Sequence, residues 1–422
     1  MAKILISALG TGPLNKNAEA ARTYRTAKYK LEEREYENSF IAAVLYQHLG
    51  LDGIIFIGTV KSMWEEAYRF FCEQNSIKPD QNYYFNLAET IDNLNYQSPL
   101  DSIDLSPLEK VLGDKSRCIK IKYGLDDAEL WDNFEAIIRV LENLNDGDEI
   151  YIDITHSFRS ISMFMFLVMT FINELAADRN IEIKSVYYGM LDVIREVEYA
   201  PVVNLQPLFD LTKWVKGAYI LKNFGDGNLI SQLLESQGEG QIAGQVKELS
   251  DAININNLMA VKQKSTVLDN SLRDRTASNP FLSNNPFKYL KGVLEKFVKE
   301  FRWREENESD FQLRLTTWYF KNNRHATGYI TLTEAILTYM CEIQELDSRV
   351  EANRNRVKDL LHQNGYKTTD LADVFFRANA IRKSVAHALI DEAIPNYTRA
   401  MSGINEDLNK VKRIFKNRTL NA

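Results

Sequence analysis

The sequence has 422 residues, 45% of them hydrophobic and 26% charged, the balance of a soluble globular chain with room for two or three domains; this excludes a disordered, collagen-like or low-complexity protein. A net charge of −7, from 51 Lys and Arg against 58 Asp and Glu, excludes a globally basic nucleic-acid binder, so any polyanion contact must be local. Three well-separated cysteines, Cys72, Cys118 and Cys341, make neither a disulfide framework nor a CxxC metal pair and point to a reducing, cytoplasmic setting.

The chain opens with an apolar run, Ile4 to Leu9, too short for a signal peptide and suited to a first strand over Lys3–Ala8. Further short apolar runs predict strands over Gly53–Ile57, Arg117–Lys122, Glu149–Ile154 and Ile183–Tyr188. Between them lie helical patterns, the clearest over Asp127–Leu144, where Leu130, Phe134, Ile137, Ile138, Leu141 and Leu144 recur at steps of three and four. Asp126 or Asp127 can cap that helix and Asn145-Asp146-Gly147 can end it. The most apolar stretch, Ile161–Ile172, falls short of the roughly 18–20 residues that cross a membrane. Strand–helix alternation needs crossover connections, so residues 1–205 are expected to form an α/β, Rossmann-like domain with a mostly parallel sheet. After Pro207 helical periods dominate, giving an expected helical connector over 206–275 and an all-α domain over 276–422. Residues 351–422 carry 13 Lys and Arg against 8 Asp and Glu, a net of +5 that leaves −12 on the rest. This basic end fits either a polyanion contact or a solvated helix face.

Several residues could carry chemistry. The first strand runs into Gly10-Thr11-Gly12, where glycines let the backbone approach a phosphate; the same residues also suit a purely structural turn. Asn15 stands where GxGxxG needs glycine, and no Gly-Lys-Ser/Thr follows, so neither a dinucleotide fingerprint nor a P-loop is present. Gly58-Thr59 would leave the sheet on the same edge. Asp153-Ile154-Thr155-His156-Ser157-Phe158-Arg159 ends a strand and starts an apolar helix. Its hydroxyls, imidazole and guanidinium suit an anionic ligand, or else His156 and Arg159 cap the helix and pair with carboxylates. An Asp-His-Ser triad does not fit, because triads are assembled from distant elements and adjacent side chains diverge.

Near the end, Arg382-Lys383-Ser384-Val385-Ala386-His387 falls in a helical pattern that starts at Thr369-Asp370 and buries Leu371, Val374, Phe375 and Ala378. Arg382 and His387 sit about 140° apart on an ideal helix, so one helix does not aim both at one atom, whereas two copies across a two-fold axis can. Such a pair suits metal-free RNA cleavage, and a satisfied helix histidine is the alternative. Among the other histidines, His325 is the competitor for a catalytic role. No His/Cys/carboxylate spacing resembles a zinc site.

Together these motifs resemble the CARF–HEPN ribonucleases of type III CRISPR systems, in the DxTHG-motif branch. The resemblance runs through Ile6–Pro13 (ISALGTGP), Phe56–Trp64 (FIGTVKSMW), Asp153–Arg159 (DITHSFR), Val186–Met190 (VYYGM), Leu208–Trp214 (LFDLTKW) and the R-x4-H of Arg382–His387. Ser157 stands where the motif has glycine, adding a hydroxyl and a small steric load, and Lys383 follows the arginine where such nucleases often carry Asn, Asp or His. The resemblance implies a homodimer whose CARF domains bind a cyclic oligoadenylate, cyclic tetra-adenylate first and cyclic hexa-adenylate second. Gly10, Thr11, Gly12, Thr59, Thr155, His156, Ser157, Arg159 and Gly189 would contact it. It implies a HEPN domain over 276–422 in which Arg382 and His387 cut single-stranded RNA through its 2′-OH, leaving a 2′,3′-cyclic phosphate, with no metal and no cofactor. A rival reading within the enzymes is a CARF pocket that also slowly cleaves its own cyclic ligand, with Thr11 or Thr155 placing the 2′-OH. A non-catalytic nucleotide-sensing regulator that binds nucleic acid or a partner protein is the alternative of another class.

Overall fold

The computed structural model describes residues 1–12, 26–139, 144–156, 159–175, 179–278, 287–304, 307–386 and 397–422. The chain divides into two compact units, Met1–Asp210 and Leu211–Ala422.

The first unit holds eight strands among the described residues: β1 (Lys3–Leu9), β2 (Ala27–Leu31), β3 (Arg34–Asn38), β4 (Gly53–Gly58), β5 (Arg117–Lys120), β6 (Glu149–Asp153), β7 (Glu182–Gly189) and β8 (Ala200–Asn204). They form one sheet in the order β3-β2-β8-β7-β6-β1-β4-β5. β7-β6-β1-β4-β5 are all parallel, β8 runs antiparallel to β7, and β3 runs antiparallel to β2. The expected mostly parallel α/β sheet is therefore present, with β2, β3 and β8 as strands the sequence pattern did not yield.

Helices α1 (Ile41–Leu49), α2 (Trp64–Gln74), α3 (Gln81–Asn93), α4 (Ser106–Leu112), α5 (Asp127–Ile138), α6 (Arg159–Leu175) and the short α7 (Ile194–Val197) accompany the sheet. Side chains alternate across a strand, and the two sheet faces close two separate cores. Ile4, Ile6, Ile55, Ile57, Ile150 and Ile152 pack with Ile137 of α5 and Met165, Val168 and Met169 of α6. Leu5, Leu9, Ile54 and Phe56 pack on the other face with α1, Trp64 and Phe71 of α2, and Leu87 of α3. Cover on both faces explains why β1 and β4 read as near-continuous apolar runs, with Ser7 the one polar residue in Ile4–Leu9. In α5 the Asp126 carboxylate accepts the Glu129 N–H at 2.9 Å, the expected cap. Ile137 and Leu144 are buried as expected, but Leu130 near the start of α5 is exposed; Leu141 lies outside the described residues.

The second unit is all-helical among the described residues. α8 (Gln206–Phe224) enters it, followed by α9 (Asn228–Ser236), α10 (Gly240–Asn254), α11 (Leu258–Ser278), α12 (Phe287–Phe301), α13 (Glu308–Lys321), α14 (His325–Ile343), α15 (Glu351–Leu360), α16 (Asp370–Ala386) and α17 (Tyr397–Asn417). One core runs from Trp214 to Tyr319 and joins α9–α12 to α13; a second gathers α14–α17 around Tyr339, Phe375 and Phe415. α16 buries Leu371, Val374, Phe375 and Ala378 completely, as its spacing predicts. No helix among the described residues is long and apolar enough to cross a membrane.

Candidate functional site

β7, β6, β1 and β4 are neighbours and parallel, so the segments after them emerge side by side at one edge of the sheet. Gly189, Thr155-His156, Gly10–Gly12 and Thr59 are thereby brought into one row. The strand order reverses between β1 and β6, with β4 and β5 on one side of β1 and β6 on the other. Ligands of open α/β sheets bind in the crevice at such a reversal.

Hydrogen bonds lock this edge. Ser62 Oγ donates to the Leu9 carbonyl at 2.6 Å, and Met63 N–H donates to the Gly10 carbonyl at 3.0 Å. Trp64 Nε1 donates to the Thr59 carbonyl at 2.8 Å, and Thr59 N–H to Ser62 Oγ at 2.9 Å. The FIGTVKSMW segment thus clamps the glycine turn that follows β1. Gly58 is needed for this clamp, since a Cβ there would lie 2.7 Å from both Ser62 Oγ and Trp64 Cζ2. Gly12 has φ of +69°, a left-handed conformation that favours glycine. Thr59 is 1% exposed, with its hydroxyl turned toward Ser62 Oγ and the Lys61 N–H. Its role in the described geometry is to brace the turn.

The DITH segment stitches three strands together. Asp153, 1% exposed, accepts the Ser7 hydroxyl of β1 at 2.7 Å and the Thr155 N–H at 2.9 Å. Thr155 Oγ1 accepts the Gly189 N–H at 2.8 Å, tying β6 to the end of β7. A Cβ on Gly189 would stand 3.2 Å from Thr155 Cγ2 and 3.3 Å from the Tyr29 ring, so glycine lets these three residues close up. Ser157 lies outside the described residues, and Arg159 is the first residue of α6.

Tyr29 is a residue that sequence reasoning missed. It is fully buried on β2, and its hydroxyl has no hydrogen-bond partner among the described residues. Burial, reinforced by the Asp153 carboxylate, pushes its phenol well above the usual range. The signal was the alternation Ala27-Lys28-Tyr29-Lys30-Leu31, whose burial follows a period of two. Ser7, Ser62 and Trp64 were also missed as parts of the site: Ser7 and Ser62 reach distant strand ends, and Trp64 acts through the nearby Thr59 carbonyl.

Burial pushes the His156 imidazole below its ordinary value of 6.5, and the Asp153 carboxylate opposes that shift. Below that pH the unfolded chain binds more protons than the native one, so this group's contribution to stability is lost as pH falls. Relative to wild type, His156→Gln is therefore expected to gain stability between about pH 7.5 and about pH 5.5. Thermal unfolding followed by circular dichroism checks this, and a pH-independent difference between the two proteins would refute it.

In the second unit, Arg382 lies on the last turns of α16, partly buried, and its side chain makes no ion pair or hydrogen bond with a described residue. Its neighbour Arg377 is fully committed, to Asp373 and to Asp407, the latter at 2.5 Å. His387 lies outside the described residues. His325 is the first residue of α14 and stands 6.2 Å from the Phe320 ring; its buried Nδ1 has no partner among the described residues.

Two families match. Residues 4–192, which hold every strand end described above, match the family described as "CRISPR system endoribonuclease Csx1, CARF domain". Residues 210–306 match "CRISPR-associated protein MJ1674, second domain". The curated CRISPR-associated protein MJ1674 of Methanocaldococcus jannaschii is 34% identical over 438 residues, which span 99% of this chain.

The chain belongs to the CRISPR-associated CARF proteins.

It spans 66% of the length of the MJ1674 protein. A solved structure of Enterococcus italicus Csm6 bound to cyclic hexa-2′-fluoro-hexa-dAMP is also similar, with 12% identity, a TM-score of 0.38, and cover of 98% of this chain and 94% of that one. The expected family and fold class, a CARF domain followed by a helical region, are thus borne out. The row of strand ends is an edge of the CARF sheet, and Arg382 belongs to the helical region after it.

Proposed function

We propose that this CARF protein is a cyclic oligoadenylate-activated endoribonuclease of type III CRISPR defence. The observation that carries the reading is the convergence of Gly10–Gly12, Thr155-His156 and Gly189 at the strand-order reversal of the CARF sheet. Backbone N–H groups beside glycines, with the positive N-terminal end of α6 next to them, suit the phosphates of a cyclic oligonucleotide. Cyclic tetra-adenylate is the preferred activator and cyclic hexa-adenylate the second choice. Residues 276–422 form the proposed HEPN nuclease, with 206–275 as its connector. The uncommitted Arg382 neutralises charge on the scissile phosphate, and His387 serves as acid or base while the RNA 2′-OH attacks. The product is a 2′,3′-cyclic phosphate, and neither metal nor cofactor takes part. A fluorogenic single-stranded RNA incubated with each cyclic oligoadenylate, with and without EDTA, tests this directly. Cleavage that needs an activator and survives EDTA supports it. Activator binding with no cleavage of any RNA would favour a sensing regulator instead.

The nuclease site is composite in this reading, so the active species is a homodimer. α8 supports this with a row of exposed apolar residues at helical spacing: Leu208, Leu211, Val215 and Tyr219, of which Val215 is 71% and Tyr219 61% exposed. Such a row marks an interaction surface. Light scattering at micromolar concentration is expected to give a dimer, and Val215→Glu combined with Tyr219→Glu a monomer without activity. A fully active wild-type monomer would sink the composite site.

A further inference from the structure

The helical unit contains a groove of about 1240 Å³ between the ends of α8, α12, α13 and α17, larger than the roughly 300–1,000 Å³ typical of small-molecule pockets. Five lysines line it, Lys222, Lys296, Lys299, Lys321 and Lys412. All five are exposed, and none is engaged in an ion pair or hydrogen bond with a described residue. Lysines elsewhere on the molecule, such as Lys28, Lys122, Lys247 and Lys264, sit against carboxylates at 2.6–3.0 Å. Among the described residues, Arg304 and Arg314 also line the groove, with Glu300 and Asp310 as its acids. The described residues that line the groove therefore carry five more positive than negative charges, on a chain whose net charge is −7.

The groove's floor is different in kind. α12 buries Leu290, Leu294, Phe297, Val298 and Phe301 at three- and four-residue steps and turns Lys296 and Lys299 outward. Phe297 and Trp318 pack edge to face beneath the lysines, with ring centroids 6.3 Å apart. Cations around an apolar, aromatic floor suit a ligand with an anionic backbone and apolar faces free to contact the floor. A single-stranded nucleic acid has both, whereas a duplex hides its bases and an acidic peptide lacks the faces.

We propose that this groove is a single-stranded RNA-binding track, separate from the cleavage residues, that holds substrate backbone during cutting. The proposal rests on the ribonuclease reading for its biological use and on the groove's own chemistry for its ligand. Four or five lysines that each neutralise a phosphate make binding steeply salt-dependent, with a slope of about 0.7 per phosphate on single strands.

The test uses the full chain carrying Arg382→Ala, so that RNA is not consumed. Fluorescence anisotropy with a labelled 20-nucleotide single-stranded RNA is measured across a salt series. Added to that background, Lys296→Glu, Lys299→Glu, Lys321→Glu and Lys412→Glu together are expected to weaken binding more than about 30-fold and to reduce the salt slope by roughly 3. The corresponding four Gln substitutions, which remove charge without reversing it, guard against misfolding and should weaken binding at least about 10-fold. Unchanged affinity and salt slope in the glutamine protein would overturn the track, as would equal or tighter binding of duplex RNA by the parent protein. Cleavage by protein with Arg382 intact is scored separately. If it cuts no RNA with any activator, the ribonuclease reading fails while the anisotropy result still judges the groove. If it cuts RNA and the four glutamines change neither binding nor KM, only the groove fails.

Discussion

Alanine at either Arg382 or His387 is expected to abolish activator-dependent RNA cleavage while cyclic oligoadenylate still binds. Removal of a positioned acid or base costs about 10²–10⁴ in rate, and loss of a group that neutralises the developing phosphorane charge costs about 10²–10³. The two halves of the expectation separate because Arg382 lies in the unit Leu211–Ala422, whereas the row of strand ends lies in Met1–Asp210. Fold integrity is not at issue for Arg382. Its side chain makes no ion pair or hydrogen bond with a described residue, while the stabilising pairs of α16 belong to Arg377. Arg377→Ala is therefore the informative contrast: it breaks contacts to Asp373 and Asp407 and should lower thermal stability, which Arg382→Ala should not. Single-turnover rates with saturating activator check the first claim, and calorimetry of activator binding checks the second. A His387→Ala protein that cuts at the wild-type rate would move attention to His325, whose buried Nδ1 lacks a partner among the described residues.

The parts of the molecule most legible in the sequence are those whose environment is uniform along the element. β1 and β4 are buried on both faces, so β4 is an unbroken apolar run and Ile4–Leu9 of β1 is broken only by Ser7. α16 buries one face against a single core, so its period is clean. β2 and β3 were not legible because Lys28, Lys30, Glu35 and Glu37 surround a five-residue alternation, and β2 gains its parallel partner β8 from about 170 residues away. β8 itself opens with Ala200-Pro201 and is only five residues long, too weak a signal on its own. The site divides in the same way. The DITH and GTG segments announce themselves, since special chemistry is concentrated in a few adjacent residues. The hold of Ser62 and Met63 on the end of β1, and the approach of Tyr29 to Gly189, depend on which strands become neighbours. The lysine groove is the extreme case: its lysines come from four helices spread from Lys222 to Lys412, so no window of sequence contains the pattern.

Arg159→Ala is expected to weaken activator binding by about 10²–10⁴ without unfolding the protein. A charge-assisted hydrogen bond from a guanidinium to phosphate is worth roughly 1.5–3 kcal/mol, which alone is about 10–150-fold in Kd. In a symmetric dimer closing around one cyclic ligand, a substitution acts twice, so the loss doubles to roughly 3–6 kcal/mol and the fold-change is squared. Arg159 is the first residue of α6, at the positive end of the helix dipole. A cation is out of place at that end unless an anion is brought to it, so removing Arg159 should leave thermal stability unchanged or slightly raised. Arg159→Lys separates charge from shape: a lysine keeps the charge but not the two-pronged fork, and should recover only part of the affinity. Isothermal titration with cyclic tetra-adenylate and cyclic hexa-adenylate reads all three proteins. A wild-type Kd in Arg159→Ala for whichever ring binds would place the guanidinium outside the ligand site and leave the glycine turn, Thr155 and Gly189 to carry recognition through backbone groups alone.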